Sequence, residues 1–263
     1  MPISITTNVA SMTGQRALGI SQSDQNKALQ RMTSGFRINS AMDDAAGLGV
    51  SENLRSQIRG LGQASRNAAD GLSVVQTAEG AMGEISNALI RMRELSVQSA
   101  SDGITDTERA YIDTEFQDLV GEVDRIANTT EFNGTVLTDG SFAATGLDFQ
   151  VGFDDGANYR ISVNVADVTT AGLGFGGTEG LDSKANAQSA MATLDTALNT
   201  LNESRSSLGA KGNRLMQAAS AVDVTRENLA GANSRIRDAD IAQESSALSR
   251  GQVLVQAGTA MLA

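Results

Sequence analysis

The side chains able to do chemistry fall into a few short groups. Asp43 and Asp44 are adjacent, as are Asp154 and Asp155, and paired carboxylates can serve general acid–base work or hold calcium. No third ligand is spaced to complete either pair, and the second lacks the D-x-[DN]-x-[DN]-G pattern of a calcium loop. The spacing fits better with turns or helix starts, where carboxylates accept from free backbone N–H groups. GLGFGG at 172–177 has the glycines of a phosphate loop but no helix start after it within a βαβ unit, so it reads as a flexible connector. Arg235, Arg237, Asp238 and Asp240 form a mixed-charge group, read as ion pairing between subunits or along the helix, each exposed pair worth about 0–1 kcal/mol.

Composition narrows the chemistry further. The 263 residues contain no Cys, His or Trp, and aromatics make up only 3%. That removes disulfides, thiolate nucleophiles and the commonest general base and metal ligand, so no enzyme, catalytic residue, metal or cofactor is expected. A net charge of -11 repels phosphate backbones and anionic membrane surfaces, and neither nucleic acid nor membrane is expected as a partner. Apolar runs fall far short of the ~20 residues that span a bilayer. The opening MPISITTNVASMTGQRALG lacks the basic and apolar regions of a cleaved secretory signal, so export would need a separate apparatus.

The elements show as periodicities. Pro2 is the only proline, so long helices are permitted after it. Apolar or small residues from Leu54 through Ile58, Leu61, Ser65, Ala68, Leu72, Val75, Ala78, Met82, Ile85, Leu89 and Met92 to Leu95 step by three and four. This marks one helical face about 60 Å long. Leu194, Leu201, Leu208, Leu215, Val222, Leu229 and Ile236 recur every seven residues, and after a phase break at 237–240 the repeat resumes at Ile241, Leu248 and Val255. A parallel series of small residues, Ala190, Ala197, Ser204, Ala218, Thr225 and Ala232, broken only at Lys211, lets a partner helix approach closely. Ile112, Phe116, Leu119, Val123 and Ile126 after SDGITD predict a shorter helix folding back.

Eight of the nine aromatics lie between Tyr111 and Phe175. Leu147, Phe149, Val151 and Phe153 alternate, as do Tyr159, Ile161, Val163 and Val165, around DDGAN, which predicts a β-hairpin with one buried face. EFNGTVLTDGS adds a second turn-rich β segment. The fold class expected is mainly α with a small β element: an elongated antiparallel helical coiled-coil rod with the hairpin region mid-chain. The ends, 1–40 and 240–263, have weaker apolar faces, and short isolated helices are marginal in water, so they are expected to order against other subunits.

With these residues in hand, the chain resembles bacterial flagellin. The resemblance rests on ALQRMTSGFRINSAMDDAAGLGVSENLRSQIRGLGQASRNAADGLSVVQTAEGAMGEISNALIRMRELSVQSA in the first half and ANSRIRDADIAQESSALSRGQVLVQAG near the end. It covers about residues 1–135 and 181–263. It implies a subunit that polymerises into the flagellar filament for motility, exported to the cell exterior by the flagellar secretion apparatus. The implied layout is a filament-core helix at 1–40 with a second at 240–263, rod helices at 41–130 and 181–239, and a β-hairpin region at 131–180. This is a short form lacking outer domains.

Asp43 and Asp44 are followed by Ala45 and Ala46, whereas the related hook-filament junction protein tends to have Pro there. That favours flagellin over the junction protein, and a monomeric receptor-binding protein is the reading from another class. Family chains usually continue past the QAG motif with a short Gln- and Leu-containing tail, whereas this sequence stops at Ala263, a departure that bears on the innermost helix and on export-chaperone binding. The resemblance further implies partners: copies of itself, an export chaperone, the filament cap, hook-filament junction proteins and a flagellin-sensing Toll-like receptor. Arg91, Leu95, Gln98 and Glu115 match its receptor-contact positions, and 91, 95 and 98 share one helical face. Polymerisation and rod packing are assigned to Leu194, Leu201, Leu208, Leu215, Val222, Leu229, Ile236, Ile241, Leu248 and Val255.

Overall fold

The computed structural model describes residues 8–175 and 179–262. In chain order these form α1 (Val9–Ser34), α2 (Ala45–Ser99), α3 (Asp106–Thr129), β1 (Glu131–Phe132), β2 (Thr135–Val136), β3 (Leu147–Gln150), β4 (Arg160–Val163), α4 (Lys184–Arg237) and α5 (Ile241–Leu262). A single 3₁₀ turn at Ala157–Tyr159 precedes β4. The chain divides into two compact units, Gly60–Val224 and Met1–Arg59 with Thr225–Ala263. The fold is mostly helical with two small antiparallel strand pairs, as the periodicities predict.

Gly60–Val224 holds a continuous aliphatic core. α2 and α4 run antiparallel there: Arg93 pairs with Asp195, Gly71 abuts Leu215 and the Ser99 hydroxyl donates to Leu181 O at 2.8 Å. The heptad residues Leu194, Leu201, Leu208 and Leu215 belong to it, and Val222 is buried beyond its end. Close approach depends on missing side chains. A β-carbon at Gly212, beside the Lys211 that interrupts the small-residue series, would stand 3.2 Å from Val75 Cγ1, and one at Gly71 would stand 3.0 Å from Phe149 Cγ. α2 buries more than the one stripe read from its spacing. Ala64, Val74, Ala81 and Ser96 are also buried, because α3 and the β segments cover a second face.

α3 starts with a capping box: the Thr105 hydroxyl and the Glu108 carboxylate satisfy each other's backbone N–H groups. The turn before it is held by Arg109, only 5% exposed, which donates to Ser101 O and Ile104 O. α3 also anchors the return of the chain. Asp124 accepts from both the backbone and the hydroxyl of Thr170, and Asp113 accepts from Leu181 N at 2.7 Å.

The β segments form as two hairpins. Asn133 and Gly134, with φ of 51° and 77°, make the tight turn between β1 and β2. β3 and β4 pair from Leu147↔Val163 to Gln150↔Arg160. Phe153 departs from the expected buried face. The ladder closes at the bond from Val151 N to Tyr159 O, so Phe153 lies in the loop, 42% exposed, with its ring 5.9 Å from Tyr159. GLGFGG departs as well. Leu173 and Phe175 are buried and their N–H groups donate to Thr169 O and Thr170 O, so 172–175 is a packed turn and not a flexible connector; residues 176 and 177 lie outside the described set.

In the other unit α1 and α5 pack antiparallel. Arg31 pairs with Glu244 at 3.1 Å, Gly251 fits against Gln25 and Gly258 against Leu18. α1 runs from its Asn8 cap to Gly35, whose left-handed φ of 72° lets its N–H close on Arg31 O. α4 breaks at Asp238–Asp240, where the heptad changes phase. Two of the charges there turn to other elements: Arg237 reaches Glu52 of α2 at 2.7 Å, and Asp240 caps α5 by accepting from Ala242 N.

Leu201 has no exposed surface and sits mid-core. Leu201→Ala is expected to destabilise Gly60–Val224 by about 2–5 kcal/mol, read as a lower urea midpoint. A change below about 1 kcal/mol would show that the α2–α4 seam is not a packed core.

Candidate functional site

Two kinds of surface stand out, one apolar and one charged. The apolar one belongs to the unit containing α1 and α5, where few side chains are buried. Ala28, Ile38, Ser51 and Gly251 are buried there, whereas Val9, Met12, Ile20, Leu29, Met42, Val253, Leu254 and Met261 are exposed. Each short helix presents a narrow stripe of small or medium residues to the other: Ser11, Gly14, Leu18, Ser21, Gln25 and Ala28 on α1, and Leu248, Gly251, Val255 and Gly258 on α5. A groove of about 340 Å³ runs between the pair, lined by residues that include Gly14, Leu18, Leu254 and Leu262.

The heptad residues divide along the same line. Leu194 through Val222 are buried, Leu229, Ile236, Leu248 and Val255 are half-buried, and Ile241 is 51% exposed. They are therefore not one equivalent set. The exposed apolar positions off the stripes were missed by periodicity alone. Their signal was available in Val253, Leu254 and Val255, three consecutive apolar residues of which one helix face can cover only one.

The charged surface lies on α2 and α3. Arg91 donates to Glu115 at 2.9 Å and to Glu94 at 3.1 Å, all three being exposed, with Gln98 exposed further along α2. The structure thus brings Arg91 and Glu115 together and leaves Gln98 open. It does not bring Leu95 to that surface. Leu95 is 1% exposed, since its direction on the helix turns toward Met92 and Ser99 and into the core. Any partner reading this face meets Arg91, Glu94, Gln98 and Glu115, with Leu95 acting as a support beneath.

Both aspartate pairs serve turns. Asp43 accepts from Ser40 N at 2.9 Å, Ser40 Oγ and Asn39 N, while Asp44 accepts from Gly47 N in the first turn of α2. Asp155 pairs with Arg160, and Asp154 accepts from Asp155 N. No cluster of three or more acidic residues suited to a metal occurs among the described residues, and no described helix is long and apolar enough to cross a membrane.

Several carboxylates are held below their ordinary range by direct donors. The Ser40 backbone N–H does this for Asp43, Lys184 for Asp102, the Thr105 backbone for Glu108, Arg125 for Glu122, the Ser141 backbone for Asp139 and Arg93 for Asp195. A depressed folded pKa contributes stability that is complete above the unfolded value near 4 and is lost as pH falls through the folded value. Melting temperature should therefore stay level from about pH 7 to 5 and fall below about pH 4. Circular dichroism melts check this, and Asp195→Asn should differ from the parent near neutrality but converge with it in acid. A stability maximum at pH 3 would contradict these carboxylate roles.

The model of the bacterial flagellin N-terminal helical region matches residues 5–143, and that of the bacterial flagellin C-terminal helical region matches 191–263. A flagellin of Halalkalibacterium halodurans is 43% identical over 259 residues, covering 98% of this chain and 94% of its own. A flagellar filament 33 kDa core protein of Treponema phagedenis is 44% identical over 270 residues, with the same coverage. Among solved structures, that of a Bacillus cereus flagellin superposes with a TM-score of 0.53 at 32% identity, over 60% of this chain and 88% of that one.

Proposed function

The chain belongs to the bacterial flagellin family and is a structural subunit of the extracellular flagellar filament, and from that premise we propose that α1 and α5 form the filament core. The observation that carries this reading is the contrast between the units. Gly60–Val224 buries a continuous aliphatic core within one chain and leaves Ile90, Val97, Met216 and Val224 exposed around it, whereas α1 and α5 bury almost nothing and leave large apolar side chains exposed around a narrow shared stripe. Burying those side chains against other copies is favourable at about 25 cal/mol per Å². That gain offsets the entropy of ordering two helices that are marginal alone.

On this reading 1–40 and 240–263 make the core, and 41–130, 131–180 and 181–239 make the rod. Ile241, Leu248 and Val255 act in assembly, and Leu194 to Val222 act in rod packing. The coverage of a relative supports a short form, since 98% of this chain aligns with 94% of the Halalkalibacterium halodurans flagellin. Export by the flagellar apparatus without a cleaved leader, with a chaperone covering the same apolar faces, and contacts to cap and junction proteins at the filament ends, are parts of the same proposal.

Removing 240–263 tests the core assignment. The variant should keep the urea midpoint of Gly60–Val224 and fail to elongate seeded filaments in electron micrographs, whereas normal filaments from it would refute the assignment. The exposed Arg91–Glu115 face further supports recognition by a flagellin-sensing Toll-like receptor. In a receptor reporter assay with polymerisation-blocked protein, Arg91→Ala should lower the response about tenfold, the loss of a charge-assisted contact worth about 1.4 kcal/mol. An undiminished response would remove this face from recognition.

A further inference from the structure

Two chain breaks fall at one level of the unit that contains α1 and α5. α1 stops at Ser34 and α2 begins at Ala45, while α4 stops at Arg237 and α5 begins at Ile241. Helix ends leave orphan backbone groups, and here the two breaks satisfy each other's. Arg37 N donates to Arg237 O at 2.6 Å and Ala239 N donates to Gly35 O at 2.9 Å, which sets Phe36 opposite Asp238 as an antiparallel bridge. The Arg37 guanidinium adds a bond to Ile236 O at 2.6 Å.

Arg237 ties this bridge to α2. Its guanidinium lies over the Phe36 ring, 4.6 Å from the centroid, and its Nη1 donates to Glu52 at 2.7 Å. The Arg237 side chain is only 14% exposed, although Glu52 and Phe36 both keep a face to solvent. Its Nε is buried with no hydrogen-bond partner among the described residues, so charge and stacking hold the group in place. One side chain therefore touches the segment after α1, the start of α2 and the end of α4. The Arg31–Glu244 ion pair and the Ser51–Asn233 hydrogen bond at 2.8 Å flank it on either side.

We infer that Arg237 is the latch of a clasp that keeps the two breaks in register and so presents the α1–α5 pair in one setting relative to the start of α2 and the end of α4. Residues 35–44 and 238–240 are otherwise irregular chain, able to slide past one another once the bridge opens. Lysine at 237 would keep a charge for Glu52 but lose the planar face that stacks on Phe36. Glutamine would keep neither. The use of the clasp in presenting the pair for assembly rests on the core assignment above, while the clasp itself is a property of the single chain.

Amide hydrogen exchange of the full-length monomer reads the clasp directly. In Arg237→Gln the amides of Arg37 and Ala239 should exchange at least tenfold faster, while those of Leu89 and Leu201 keep parental rates; Arg237→Lys should fall between. Unchanged exchange at Arg37 and Ala239 overturns the inference, and so does an equal loss of protection throughout α1 and α5, which would mean general unfolding. Should Arg237→Gln fail to fold, Phe36→Leu removes the ring face alone and is read in the same way. Because the monomer is measured, failure of the clasp is distinguishable from failure of the core assignment, which the seeded-growth experiment reports.

Discussion

A helix of 55 residues carrying a continuous apolar stripe cannot bury that stripe on itself, and everything else in this chain follows from how α2 solves the problem. α4, at 54 residues, supplies the antiparallel partner. In Gly60–Val224 the pairing closes into a core because α3 folds back and the hairpins cover the remaining face. Glycines set the contact distance: Gly71 admits Phe149 and Leu215, and Gly212 admits Val75. The polar groups of α3, Asp113 and Asp124, then hold the returning chain by its backbone. A single requirement thus specifies the partner, the small residues on the seam and the anchoring of the strand segments.

In the unit built from the ends of the chain that requirement is met only in part. α1 and α5 share a stripe of small residues and leave their larger apolar side chains outside it. A folded monomer rarely keeps so many without a use for them. Most of the acidic residues lie in Gly60–Val224, a like-charge surface that discourages indiscriminate association. Adhesive ends and a repelling body together favour ordered growth over collapse.

The helices were legible in the sequence because a period near 3.5 recurs over many turns and no proline interrupts it. The break at 237–240 was legible as a change of phase, and the Asn133–Gly134 turn as a dipeptide that accepts positive φ. What escaped depends on distant residues. Phe153 continues the alternation of its strand but passes the last ladder bond and becomes a loop residue. Leu173 and Phe175 sit in a glycine-rich stretch that composition reads as loose, yet both are drawn into the core by anchoring contacts from α3. Leu95 shares a face with Arg91 and Gln98 on a helical wheel, but the core edge runs between them. Arg237 found Glu52, 185 residues away in sequence, and no local pattern encodes that pairing.

The central claim is that copies of this chain cover the apolar faces of one another's α1 and α5. Hydrogen exchange compared peptide by peptide between monomer and assembled filament measures it most directly. The account predicts a large gain of protection in 9–34 and 241–262 on assembly, with the helical peptides of the 60–224 core little changed. Gains confined to 60–224, with the terminal helices exchanging as fast in the filament as in the monomer, would contradict it.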